Sequence, residues 1–202
     1  MIVVNFSTKE YLAGQRRLKA SLGNWPSLMY TKYEEIGSPT HQESPYEFKI
    51  WTIERGFEVD DIVLWLDASV KLVGDLNKVE EIIKRDGYFM EEAGAYVDDW
   101  CNDHTRNYFN LTEKGMIMFS AGLLGLNLKS EKAMQFFYHW KNAAQAGCFK
   151  GDWSNHRHDM TSASIIAQRM GLTYQRGGSH TAYIGPGYSA PEPEVVFHLI
   201  GL

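Results

Sequence analysis

Cysteine is scarce: two in 202 residues, at 101 and 148, without the Cys-x-x-Cys spacing of a redox or zinc site. Two buried free thiols are therefore expected at Cys101 and Cys148. Long basic runs are missing too. Nothing exceeds "QRR" and the formal charge is −5, so no broad electrostatic surface for nucleic acid is expected. No segment approaches the ~20 apolar residues that cross a bilayer. The start "MIVVNFSTKEYL" has neither the basic leader nor the longer apolar run of a signal peptide, so a soluble cytoplasmic protein without a transmembrane segment is the expectation. No Gly-x-Gly-x-x-Gly follows the first apolar run, which weighs against a dinucleotide oxidoreductase. Internal repeats and low-complexity tracts are also lacking. What is present, 44% hydrophobic and 22% charged residues, suffices for one well-packed core.

Along the chain, "IVVNF" (2–6) reads as a first strand. Ser7 and Glu10 then offer a capping box for a helix over about 8–22, ended near Gly23. "SLMYT" is a short second strand. Ser44, a proline at the first helical position and Glu47 make the sharpest cap, for a helix over roughly 45–55 carrying Tyr46, Lys49, Ile50 and Ile53 on one side. "IVLWL" is continuously apolar, which suits a strand covered on both faces. Asn77 with Glu80 caps a further helix, and "GYFM" reads as a strand. Strand and helix alternate over the first 90 residues, which argues for an α/β fold with a mostly parallel central sheet flanked by helices. Beyond 91, "MIMFSAGLLGLNL" reads as strand and turn, 131–146 as a helix, Asp159 to Met170 as another with Asp159 as its cap. A glycine- and proline-rich stretch over 177–193 precedes a last strand in "VVFHLIG".

Several residues bear chemistry. In parallel α/β sheets ligands collect beyond the carboxyl ends of strands, where Asp67 ends "IVLWL" and Ser69 follows. A carboxylate there suits magnesium or manganese bridging a diphosphate; the alternative is a turn cap. "NHRHDM" sets His156, Arg157, His158 and Asp159 before a helix, with spacing unlike His-x-x-x-His zinc sites. A polar loop recognising a hydroxyl-rich substrate is the reading, with Arg157 solvated. In "YVDDWCND", Trp100 has the shape to stack on a sugar while Asp98, Asp99 or Asp103 accepts hydroxyl bonds, and Trp153 offers the same beside the histidine loop. His198 interrupts an apolar strand, either as a satisfied core histidine or as a strand-end imidazole facing Asp67.

The segments "VNFSTKEYLAGQRRLKASL", "ESPYEFKIWTIERG", "IVLWLDASV", "GYFM", "GLLGLNLKS", "FFYHWKNAAQAGCFKGDW", "HRHDMTSASIIAQRMGL" and "FHLIG" together resemble nucleotide-sugar-dependent glycosyltransferases of the A-type fold, such as small bacterial and viral members. The resemblance implies one Rossmann-like nucleotide-diphospho-sugar transferase domain over 1–202. A nucleotide-sugar-binding half would span 1–90 and an acceptor-binding half 91–202. It places the first acid of an Asp-x-Asp metal motif on Asp67 and departs from the motif at Ser69. "HLIG" makes His198 a second metal ligand. Lys49 falls near the donor, the alternative being a surface lysine that caps its helix; Asn5 or Ser7 faces the base or ribose, the alternative for Asn5 being to stabilise its own turn; and Asp159, with His158 beside it, falls at the catalytic position. Implied partners are Mn2+ or Mg2+, a UDP-linked sugar as donor and a carbohydrate or other hydroxyl acceptor. A homo-oligomer is allowed.

The expected reaction is metal-assisted sugar transfer with Asp159 positioning the acceptor or taking its proton. The rivals are a catalytically degenerate nucleotide- or carbohydrate-binding protein on the same scaffold, and a metal phosphohydrolase built on Asp67, Asp98, Asp99 and Asp103.

Overall fold

The computed structural model describes residues 1–184 and 195–200; most of the glycine- and proline-rich stretch and the glycine of "HLIG" lie outside them. The elements run β1 (Ile2–Phe6), α1 (Leu12–Leu22), β2 (Ser27–Tyr30), α2 (Tyr33–Ile36), α3 (Phe48–Phe57), β3 (Ile62–Leu66), β4 (Val70–Leu72), α4 (Asn77–Asp86), β5 (Tyr88–Phe89) and β6 (Glu92–Tyr96). They continue with α5 (Asp103–Tyr108), β7 (Ile117–Phe119), β8 (Leu123–Asn127), α6 (Glu131–Gln145), α7 (His158–Arg169), β9 (Thr181–Ile184) and β10 (Phe197–Ile200).

The central sheet has five strands in the order β2-β1-β3-β8-β5. β1 is parallel to β2 and to β3, while β8 is antiparallel to both β3 and β5, so four strands point one way and β8 the other. β3 explains its unbroken apolar run by alternation between two cores. Val63 and Trp65 join Val4, Ile53 and Phe136 on one face, and Ile62, Leu64 and Leu66 join Leu18, Val79 and Ile83 on the other. β8 comes from beyond residue 90 yet sits between β3 and β5, so the central sheet draws strands from both sides of residue 90. A three-stranded sheet, β4-β10-β9, and the β6-β7 pair flank it.

Three of the expected caps are corrected. Asn77 is the first residue of α4, which follows Leu76 with no side-chain cap. Ser7 donates its hydroxyl to Thr8 O at 3.1 Å and caps nothing; a 3-10 turn over Lys9–Tyr11 precedes α1. Ser44 is buried with its hydroxyl unpartnered among the described residues. Tyr46 takes φ +60°, which L side chains rarely adopt, and this breaks the expected helical start, so α3 begins at Phe48. Gly56 lets α3 lie close on the sheet: a Cβ there would come within 2.8 Å of Val63 and 2.9 Å of Val4. Both cysteines are free and buried, as expected.

Candidate active site

The strand that ends on an acid does so because a buried cation waits beside it. As the chain leaves β3, Asp67 N still donates to Gly122 O at 2.9 Å, so the residue is fixed by the sheet. Its Oδ1 accepts from the Trp65 indole N–H at 2.8 Å and lies 3.2 Å from Lys49 Nζ. Lys49 rises from α3, only 3% exposed, and its ammonium also meets Asp159 Oδ2 at 2.8 Å and donates to Ala121 O at 3.0 Å. One hydrogen bond and two ion pairs thus surround the ammonium. Burial alone would disfavour the charge, but Asp159 and then Asp67 outweigh it and hold the Lys49 ammonium above its ordinary range. Asp159, in the first turn of α7, is pushed up by burial and pulled back only in part by Lys49. Its contact with the ammonium is an ion pair without an aligned hydrogen bond, leaving Oδ2 otherwise unpartnered among the described residues. Asp159 therefore does not cap α7.

Two cavities meet at this triad. The first, about 470 Å³, is walled by Ser7 at the end of β1, by Tyr11, His41 and Tyr46, and by Trp65, Asp67 and Ser69 along the end of β3. Tyr11 is 47% exposed and presents a ring edge or face to a ligand. The second cavity, about 310 Å³, is lined by Lys49 and Asp159 and by Trp153, Arg157 and Tyr183. Tyr46, Asp67 and Ser69 belong to both. The strained Tyr46 is held there by its backbone N–H donating to His41 Nδ1 at 3.4 Å. Burial pushes its phenol up to about 12, so it stays protonated and can donate a hydrogen bond at the junction.

Of the residues singled out in the sequence, the fold brings Ser7, Lys49, Asp67, Ser69 and Asp159 to this junction. Asn5 lies behind the wall: its amide donates to Leu66 O at 2.7 Å and accepts from Gln15 at 2.9 Å, tying β1 to β3 and α1, so it does not face a ligand. His158 stacks on Trp153 and its Nδ1 is 2.8 Å from Phe149 O, so that nitrogen carries the proton. It lines neither cavity. His156 spends both nitrogens, on Cys148 O and on Asn102 N–H. The two histidines of this loop are thus folded supports, not substrate-reading groups. Arg157 of the same loop, expected in solvent, instead lies over Trp100 with its carbon 3.3 Å from the ring centre and 4.3 Å from that of Trp153. Asp98, Asp99 and Asp103 line neither cavity; Asp98 accepts from Gly115 N at 2.7 Å.

His198 stands opposite Lys71 and beside Ala182 in the β4-β10-β9 sheet, and it is its neighbours Leu199 and Ile200 that line the second cavity. Tyr11, Tyr46 and Trp65 were missed. Trp65 followed two residues later by a carboxylate is the one signal available, since strand residues two apart share a face.

A divalent cation fits this junction thinly. Asp67 is about one-third exposed and its Oδ2 accepts no hydrogen bond among the described residues; Gly122 leaves the space, since a Cβ there would stand 3.0 Å from that oxygen. Ser69 adds a hydroxyl on the same wall. No group of three or more His, Cys, Asp or Glu suited to a metal occurs among the described residues. Magnesium is commonly held by one or two carboxylates with substrate phosphates completing its shell, so the donor set suits an ion that arrives with a diphosphate.

Comparison with solved structures places the fold. The apo form of mouse xyloside xylosyltransferase 1 matches 98% of this chain and 97% of its own, with 11% identity and a TM-score of 0.59. A glycosyltransferase involved in the glycosylation of the major capsid of PBCV-1 matches 98% and 92%, with 10% identity and a TM-score of 0.60. No protein-family model and no curated sequence matches. The chain has the A-type fold of these glycosyltransferases over almost its whole length.

Proposed function

We propose that the protein transfers a glycosyl group from a nucleoside diphosphate sugar to an acceptor hydroxyl. The observation that carries this reading is the Asp67–Lys49–Asp159 triad at the meeting of two cavities. The first cavity suits a nucleoside, with the exposed Tyr11 ring as a stacking face. The diphosphate would then lie across the shared wall of Ser69, Asp67 and Tyr46, and the sugar would enter the second cavity.

In the transfer, the acceptor oxygen forms a bond to the anomeric carbon, the bond from that carbon to the diphosphate breaks, and its electron pair leaves on the diphosphate oxygen. Asp159 takes the acceptor proton; burial, by raising its carboxyl, makes it a stronger base. Lys49, held by Asp67 and Asp159, stabilises the leaving charge through its field. The triad carries one negative charge in all, so an arriving diphosphate needs a further cation. Asp67 and Ser69 are the residues that would hold Mn2+ or Mg2+, which when bound neutralises the departing phosphates.

Ser69 in place of a second acid favours one other reading, a protein that binds nucleotide sugars without turnover. A thermal-shift series with UDP and other nucleoside diphosphates, with and without manganese, tests binding. Ligand at 100 times its Kd stabilises by about 2.7 kcal/mol, which for a chain of this size raises Tm by roughly 5–10 °C. Release of UDP from a panel of UDP-sugars then separates transferase from binder. No shift with any nucleoside diphosphate at millimolar concentration defeats both readings.

A further inference from the structure

The second cavity carries a cation that the transfer chemistry leaves unused. Lys49 is neutralised from two sides, whereas Arg157 has no carboxylate partner among the described residues. Its guanidinium packs on the indoles of Trp100 and Trp153, at 3.3 and 4.3 Å from carbon to ring centre, and one nitrogen is tied to Trp153 O. With the two indoles packed against it, the group offers hydrogen bonds along its edge, where the remaining N–H donors lie in one plane. That fork matches a carboxylate in a paired, planar arrangement. Arg157 lines the same cavity as Asp159 and Lys49. Beside it Trp153 is 54% exposed and offers an aromatic surface to the C–H face of a sugar ring. The two features together recognise one object, a pyranose with an acid attached. A neutral sugar would leave the guanidinium uncompensated beside its ligand. An acidic sugar without Arg157 would meet the negative triad and the diphosphate unopposed.

We propose that the second cavity takes an acidic sugar, with the Arg157 edge binding its carboxylate and Trp153 stacking on its ring. This rests on the glycosyltransferase reading, and the acid group would belong either to the donor sugar or to the acceptor.

The test uses the full chain and two matched pairs. UDP-glucuronate is compared with UDP-glucose for the donor, and methyl glucuronide with methyl glucoside, at saturating UDP and magnesium, for the acceptor. Affinities come from calorimetry or ligand-observed NMR. The acidic member of one pair should bind at least ~10-fold more tightly, and which pair shows it names the source of the acid. Arg157→Gln should erase that ratio, while Arg157→Lys, which keeps the charge but loses the fork, should retain only part of it. Thermal melts report whether each variant folds, and the wild-type ratio stands as a test even if Arg157→Gln does not. Equal or tighter binding of the neutral member in both pairs overturns the proposal while UDP binding leaves the transferase reading standing. An acidic preference unchanged in folded Arg157→Gln also overturns it. Absence of UDP binding removes the transferase reading, and this inference with it.

Discussion

Replacing Lys49 by methionine keeps most of the side-chain volume and removes the charge. Asp159, whose side chain is 5% exposed, then loses the ammonium 2.8 Å away and has no other partner for Oδ2 among the described residues. Breaking a buried pair by removing one partner costs about 3–5 kcal/mol. Asp67, about one-third exposed, should add little because solvent screens it. For a chain of this length that loss corresponds to a fall in Tm of roughly 6–20 °C. The cost should also depend on pH. Without Lys49 the Asp159 carboxyl stands further above its unfolded value, so the folded state binds the extra proton. The variant is therefore least penalised below the unfolded carboxylate value and loses stability as pH rises through the folded one. Urea denaturation at pH 5 and pH 8 measures this, and the Lys49→Met gap from wild type should widen at pH 8. The double variant Lys49→Met with Asp159→Asn removes both charges and should recover most of the loss, giving a coupling energy of a few kcal/mol. A single variant within 1 kcal/mol of wild type, or a double variant no more stable than the single, would refute the buried ion pair as the organiser of the site.

Three further outcomes are expected. Manganese alone should bind too weakly to detect, yet raise the affinity for UDP by tenfold or more, and Ser69→Asp should make binding of the metal alone measurable; UDP affinity indifferent to chelation would remove the cation from the shared wall. Gly122→Ala sets a Cβ 3.0 Å from Asp67 Oδ2, so metal-dependent UDP affinity should fall about tenfold, or 1.4 kcal/mol, with Tm nearly unchanged, and calorimetry of UDP binding checks it. Burial holds His156 and His158 below their ordinary value of 6.5, so the unfolded chain takes up protons that the fold excludes. Their contribution is complete above 6.5 and lost as pH falls through the folded values. Tm measured from pH 7 to pH 5 should drop, and His156→Gln should flatten that slope; an unchanged slope in the variant would show that the His156 ring is not kept neutral by the fold.

The sequence exposed what depends on neighbours along the chain and hid what depends on contacts across it. The strand ending at Asp67 was legible because burial on both faces demands an unbroken apolar run, and β3 alternates between two cores as that run requires. The helices over 131–146 and 159–170 agree closely with Glu131–Gln145 and His158–Arg169; the first shows its apolar side in Phe136, Trp140, Ala143 and Ala144, all of them buried. Ser44 and Glu47 form a fair cap by spacing alone. The chain instead turns Tyr46 to a positive φ, where its ring stands over Lys49, 5.3 Å from the ammonium, so a local rule gives way to a tertiary one. The histidines mislead for the opposite reason: a cluster of polar residues reads as a site, yet carbonyls of the buried 148–149 segment claim both rings. Arg157, the plainest residue of that loop by sequence, ends packed on two indoles in the wall of the second cavity. The answer to why β3 ends on an acid therefore could not come from β3. It requires Lys49 on one helix and Asp159 on another to converge, and the close packing of Gly56 on Val4 and Val63 is what lets α3 bring that ammonium down to the strand end.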